Sequence, residues 1–252
     1  MSIPLADIVS ALTSELRLGE IPDYPGAVNG LQLANGGSVT RVAAAVDACL
    51  PVVREAVASG ADLLLVHHGL FWSGAQPVTG AVYEKLKLAL DANLALFSAH
   101  IPLDVHPTLG NNARLAAALG LGDCEPFFDW KGIRLGLRAA VDLDRDELVE
   151  RVAAATGAGV HLCPGGPGRV RSVGLVTGGA GSEVAAMAAT GIDTFITGEG
   201  PHWSYTAAEE LGLNVIYGGH YATETFGVKA LAEWLEARYG LPWSFIDHPT
   251  GL

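Results

Sequence analysis

Residues 42–121 and 170–241 read as divergent copies of one unit, and this internal repeat constrains the fold more than any single motif. Gly60-Ala61-Asp62, His67-His68-Gly69 and Trp72-Ser73 align with Gly191-Ile192-Asp193, Gly198-Glu199-Gly200 and Trp203-Ser204 at a constant offset of 131. Ser98-Ala99-His100-Ile101-Pro102-Leu103-Asp104 aligns with Gly218-Gly219-His220-Tyr221-Ala222-Thr223-Glu224 at an offset of 120. That second register persists to Leu119-Gly120-Leu121 against Tyr239-Gly240-Leu241.

Within each copy, short apolar runs alternate with amphipathic stretches. The pattern predicts strands over 42–46, 63–66 and 94–97 in the first copy, with helices over 50–58, 81–91 and 112–119. In the second copy it predicts strands over 172–176, 194–196 and 214–217, with helices over 183–189, 205–211 and 225–238. Continuously apolar strands separated by helices imply an α/β fold of two pseudo-repeated lobes, each with a mainly parallel sheet covered on both faces. Residues 133–141, 144–155 and 160–163 read as an intervening strand, helix and strand, with Asp142-Leu143-Asp144 as the helix start. Residues 5–16 form a lead-in helix, and Gly165-Gly166-Pro167-Gly168 is a loop suited to a boundary. The division expected is 1–125 for the first lobe, 126–169 for the middle segment and linker, and 170–252 for the second lobe.

Composition narrows the setting. Of the 252 residues half are hydrophobic and 17% charged, too apolar for a disordered chain. The densest apolar stretch, 61–66, contains Asp62 and ends against His67, so no membrane span is expected. The opening Met1-Ser2-Ile3-Pro4 has no basic region before an apolar one, so no secretory signal is expected. A net charge of −12 disfavours an extended nucleic-acid surface but leaves room for an anionic small molecule where metal ions supply positive charge. Cys49, Cys124 and Cys163 are few and widely spaced, and read as buried thiols of a reducing, cytoplasmic protein.

Polar residues gather where the strands should end, the place where open α/β sheets bind ligands. Asp47, His67-His68, and His100 with Asp104 follow the strands of the first copy. Thr177-Gly178-Gly179, Gly198-Glu199, and His220 with Glu224 follow those of the second. Four of the eight histidines belong to this set, and imidazoles accompanied by carboxylates are ligands for zinc, iron, manganese and similar ions. Taken singly, a His-His pair reads as a loop feature and Asp104 as a helix cap; the ordered constellation reads as a metal site at the junction of the copies, with enough ligands for two ions. Asp47 is a candidate partner for one of the ligands. The loop 177–181 reads as a tight turn, because it lacks the lysine and spacing of a P-loop. His202 and Trp203 fit a loop and a core or interface position, and His106, His161 and His248 fall outside the set. No serine has the surroundings of a nucleophile elbow.

Val66-His67-His68-Gly69-Leu70-Phe71, Ser98 to Asp104 with Gly110-Asn111-Asn112, Thr197-Gly198-Glu199, and Gly218 to Glu224 resemble the Nif-three-like dinuclear-metal-centre hexameric proteins, often labelled type-2 GTP cyclohydrolase I. The resemblance spans nearly the whole chain. It implies two α/β lobes, a ring-shaped homohexamer, and a two-metal centre facing the internal cavity and held by His67, His68, Asp104, His220 and Glu224, with Glu224 bridging. The metal can be Zn, Fe, Mn, Co or Ni. Gly69 stands where the family usually carries proline, which would loosen the loop, and Ile101 stands where it commonly carries threonine. The implied activity is a metal-dependent hydrolase acting on a small molecule such as a nucleotide, opening a purine ring with release of formate. His100 is the preferred general acid/base and Glu199 its runner-up. The alternatives are phosphoester or amide hydrolysis, and a non-catalytic metal-binding or metal-handling scaffold.

Overall fold

The computed structural model describes residues 2–74 and 76–252. It divides into two compact units, Met1–Leu103 with Gly227–His248, and Asp104–Phe226 with Pro249–Leu252.

The sheet of the first unit runs in the order Trp243–Phe245, Val42–Asp47, Leu63–His68, Ala95–Ser98, Gly30–Leu33. Its first four strands are parallel and Gly30–Leu33 is antiparallel at the edge. Helices Leu50–Ala58 and Gly80–Asp91 cross between the parallel strands. Ala43, Ala45, Leu64, Val66 and Leu96 pack with Val52, Val53 and Ala56 in the core on that face. Each fully buried Val or Leu side chain there contributes about 1.5–3 kcal/mol, which is why the strands read as unbroken apolar runs.

The sheet of the second unit runs in the order Cys124–Trp130, Ile133–Asp144, Arg169–Leu175, Thr194–Thr197, Asn214–Tyr217, His161–Pro164. Its three central strands are parallel and the flanking ones antiparallel. Both units therefore have a parallel three-strand centre in the same chain order, as the repeat predicts. The aspartates of the repeated Gly-x-Asp do the same work in each. Asp62 Oδ2 accepts from the backbone N–H groups of Thr40 (2.6 Å) and Arg41 (3.1 Å), at the start of the first parallel strand. Asp193 Oδ2 accepts from those of Arg171 (2.7 Å) and Ser172 (3.1 Å) at the equivalent place. These charge-assisted bonds to backbone at matching positions of the repeat give the short motif the same role in both copies.

The observed units follow different lines from 1–125, 126–169 and 170–252. Residues 126–169 share a sheet with 170–226, because Ile133–Asp144 pairs along Arg169–Leu175. Trp243–Phe245 instead joins the first unit, beside Val42–Asp47. The Gly165–Gly168 loop lies inside the second unit, between two strands of one sheet. Asp144 does cap helix Arg145–Thr156, accepting from the N–H of Asp146 at 2.9 Å. Of the cysteines only Cys163 is buried; Cys49 and Cys124 are half-buried, and all three are free thiols.

Candidate metal centre

In the first unit, strand Leu63–His68 continues two residues beyond the predicted end, so His67 and His68 are its last residues rather than loop residues. The two imidazoles converge, with ring centroids 4.8 Å apart, and each is fixed by a different partner. His67 Nδ1 bonds the carbonyl of Ala99 at 2.9 Å, and His68 Nδ1 bonds Asp47 Oδ1 at 2.8 Å. Asp47 ends the neighbouring strand, directly across from His68 in the register. His100 follows strand Ala95–Ser98, and its Nδ1 donates to Asp23 Oδ1 at 2.8 Å. One ligand atom from each of His67, His68 and His100 lies within 4.8 Å of the others, a spacing that a single ion can span.

Asp23 is the residue that sequence reasoning missed. Its carboxylate also accepts from the N–H groups of Tyr24 (2.6 Å) and Ile101 (2.9 Å) and from Asn29 Nδ2 (2.7 Å). Asn29 Oδ1 in turn accepts from the N–H of His100 at 2.7 Å. Burial works against the charged carboxylate, but the bonds and charge of His100, with those of Asn29 and Tyr24, outweigh it and lower the pKa of Asp23 below the ordinary value. Within Ile21-Pro22-Asp23-Tyr24-Pro25-Gly26 the residue reads as part of a surface turn, and no local signal links it to His100. The same arrangement accounts for Ile101. Its backbone N–H, available from any residue except proline, holds Asp23, while its side chain is buried.

Gly69 is also explained. A Cβ there would collide with the side-chain amide of Gln32. That amide accepts from the N–H of Leu70 (2.6 Å) and donates to the carbonyls of Ala27 (3.0 Å) and Val28 (2.9 Å). The turn after the histidines is thus clamped by Gln32 rather than loosened.

In the second unit, His220 opens the short helix His220–Thr223, a turn that puts Glu224 on the same side one turn on. His220 Nε2 lies 3.2 Å from Glu224 Oε2, and its Nδ1 lies 2.8 Å from Glu199 Oε1. Burial disfavours the imidazolium, but hydrogen bonds and charges from Glu224 and Glu199 outweigh this and raise the His220 pKa to about 9. These groups favour positive charge between them, which a divalent cation would supply; the donor set fits a metal. Asp104 is buried and accepts from Asn111 Nδ2 (2.8 Å) and Thr177 Oγ1 (3.4 Å). Asn112 Oδ1 accepts from the N–H of Thr177 at 2.9 Å, which locks the Asn-Asn motif to the glycine-rich loop.

That loop packs against the Glu224 carboxylate. Gly178 has φ +73°, and a Cβ on it would collide with Glu224. Its carbonyl accepts from the N–H groups of Gly198 (2.8 Å) and Glu199 (3.1 Å), and its own N–H donates to Thr223 Oγ1 (3.1 Å). Of the remaining histidines, His106 caps its own loop, accepting from the N–H of Leu109 at 3.0 Å. His161 packs against Tyr205 and Tyr217, and His202 and His248 are exposed. Trp203 is 51% exposed rather than core. No helix among the described residues is long and apolar enough to cross a membrane.

Comparison with known proteins identifies the family. The chain matches the family model for Duf34/NIF3 (NGG1p interacting factor 3) over residues 4–250. A "GTP cyclohydrolase 1 type 2 homolog" of Deinococcus radiodurans is 43% identical over 248 residues, covering 98% of this chain and 94% of that protein. The homolog of the same name in Escherichia coli K12 is 38% identical, covering 97% and 98%. Among solved structures, TTHA1606 from Thermus thermophilus is 41% identical with a TM-score of 0.90, covering 99% of this chain and 100% of that one. Reduced HcgD from Methanocaldococcus jannaschii is 26% identical with a TM-score of 0.88, covering 98% and 99%. With the match running from residue 4 to residue 250, the chain belongs to the Duf34/NIF3 family.

Proposed function

We propose that the protein is a metal-dependent hydrolase in which His67, His68, Asp104, His220 and Glu224 would hold two divalent ions per chain, and that it acts on a nucleotide as a homohexamer in the cytoplasm. The observation that carries this reading is the uniform setting of the histidines. Each has Nδ1 committed to a carboxylate or carbonyl oxygen, which fixes the tautomer and ring and makes Nε2 the ligating nitrogen. When bound, divalent ions polarise a substrate oxygen and acidify a water toward neutrality.

The chain's own residues supply the rest. Asp23 and the Ala99 and Asp47 oxygens hold three imidazoles in place, so no reorganisation is needed as charge develops. His100, with Nδ1 on Asp23, presents Nε2 as the atom that takes and returns a proton, a contribution of about 10²–10⁴-fold. Glu199 orients His220 and is the second candidate for proton transfer. The names of the relatives favour a GTP cyclohydrolase-like reaction, hydrolytic opening of the purine imidazole ring with release of formate. The test is formate and phosphate release from a nucleotide panel by metal-loaded protein. Formate release abolished in Glu224→Ala supports the reading. Phosphate release alone makes it a phosphoester hydrolase, and neither product, with metal bound, leaves a metal-handling protein.

A further inference from the structure

Beside His100 the first unit exposes an aromatic corner that the proposed chemistry leaves unused. The indole of Trp72 stacks on His68, with centroids 5.6 Å apart and planes 22° from parallel, and meets His100 edge-on at 4.5 Å. Tyr24 meets Trp72 edge-on at 6.3 Å and His100 at 6.1 Å. Yet Trp72 is 40% exposed and Tyr24 49%. Large aromatic side chains held at a chemical site but left open to solvent mark a binding surface.

The corner is built before any ligand arrives. Asp23, which fixes His100, also accepts from the backbone N–H of Tyr24 at 2.6 Å. Gly26, two residues on, passes so close to the turn carrying Trp72 that a Cβ would lie 2.7 Å from the Trp72 carbonyl oxygen. Gln32 ties Leu70 to Ala27 and Val28, so the loops bearing the two aromatics are fastened to one another. Rings positioned in advance lose little entropy when a flat ligand covers them.

We propose that Trp72 and Tyr24 form the stacking surface for the base of the substrate, a planar nitrogen heterocycle of purine size, and so deliver it beside His100. The inference rests on the hydrolase reading for the identity of the substrate, but not for the binding event. A π-face is what every nucleobase offers, and stacking on an aromatic side chain is worth enough per base to change affinity roughly tenfold or more. Phosphates without a base gain nothing from the corner.

The experiment is calorimetric titration of the metal-loaded, full-length protein with GTP, guanosine and inorganic tripolyphosphate, repeated with Trp72→Leu, Tyr24→Leu and Trp72→Phe. The expected result is that Trp72→Leu weakens GTP and guanosine binding about tenfold or more and Tyr24→Leu weakens them less. Trp72→Phe should restore part of the affinity, with tripolyphosphate binding and metal content unchanged throughout. Equal losses for GTP and tripolyphosphate, unchanged GTP affinity in Trp72→Leu, or no binding of GTP or guanosine to the wild type would overturn the proposal. So would a fall in assembly mass with GTP affinity intact, which would make the corner a contact between copies of the chain. Base binding through Trp72 without turnover would refute the hydrolase reading alone; turnover with a KM indifferent to Trp72→Leu would refute only this one.

Discussion

The Asp23 carboxylate accepts a hydrogen bond from His100 Nδ1 at 2.8 Å, joining residues 77 positions apart and fixing the imidazole expected to carry the proton. Three further donors, Tyr24 N–H, Ile101 N–H and Asn29 Nδ2, also bond that carboxylate. A buried acceptor so fully used is costly to replace.

Asp23→Asn should therefore lower the melting temperature at neutral pH by roughly 5–10 °C, given about 2–4 °C per kcal/mol for a chain of this size. The sign of the pH dependence follows from a carboxyl pKa lowered below 3.8 in the folded state. Its stabilisation is present above that value and is lost as pH falls through the folded pKa, so the gap between wild type and variant should close only in that acid range. Thermal melts by circular dichroism across pH 3–8 check this; a gap that grows on acidification would contradict it.

Gly178 and Gly179 are adjacent but have different tasks. A Cβ on Gly178 meets Glu224 and the backbone there is left-handed, whereas a Cβ on Gly179 finds only ordinary contacts, at 3.4 Å or more. Gly178→Ala, carrying about 1–2 kcal/mol of backbone strain besides the collision, should displace Glu224 and lower bound metal as far as Glu224→Ala does. Gly179→Ala should retain the metal. Elemental analysis of folded protein separates the two, and equal metal content in both variants would show that Gly178 does not seat the carboxylate.

His100 and His220 hold matching positions in the repeat, and each has Nδ1 on a carboxylate. His220 faces Glu224, while His100 stands with two other imidazoles. His220→Asn should empty a metal position; His100→Asn should keep both ions and slow turnover by about 10²–10⁴-fold. Loss of metal from His100→Asn to the same extent would make it a ligand.

The assembly is checked by light scattering at micromolar concentration. The expected mass is six times 26.1 kDa. A mass near that of one chain would refute the hexamer.

Local chemistry determined much of this protein in the sequence itself. Helix Leu50–Ala58 and strand Asn214–Tyr217 lie where periodicity places them, because a buried parallel strand and an amphipathic helix each impose their own spacing on apolar residues. The repeat put His68 opposite Glu199 and Asp104 opposite Glu224, and strand ends are where an α/β sheet presents its ligands. What the sequence could not contain were partnerships made through space. Asp23 looks like a turn residue until His100 is brought to it. Gly178 looks like part of a tight turn until Glu224 occupies the space of its missing side chain, and Gly69 looks loose until Gln32 fills its place. Strands Gly30–Leu33 and Trp243–Phe245 escaped notice for the same reason: short edge strands are defined by the neighbour they pair with, not by a pattern of their own. Hydrophobic periodicity fixes which elements form, but the hydrogen bonds that aim each imidazole are decided only when the sheet sets distant residues side by side.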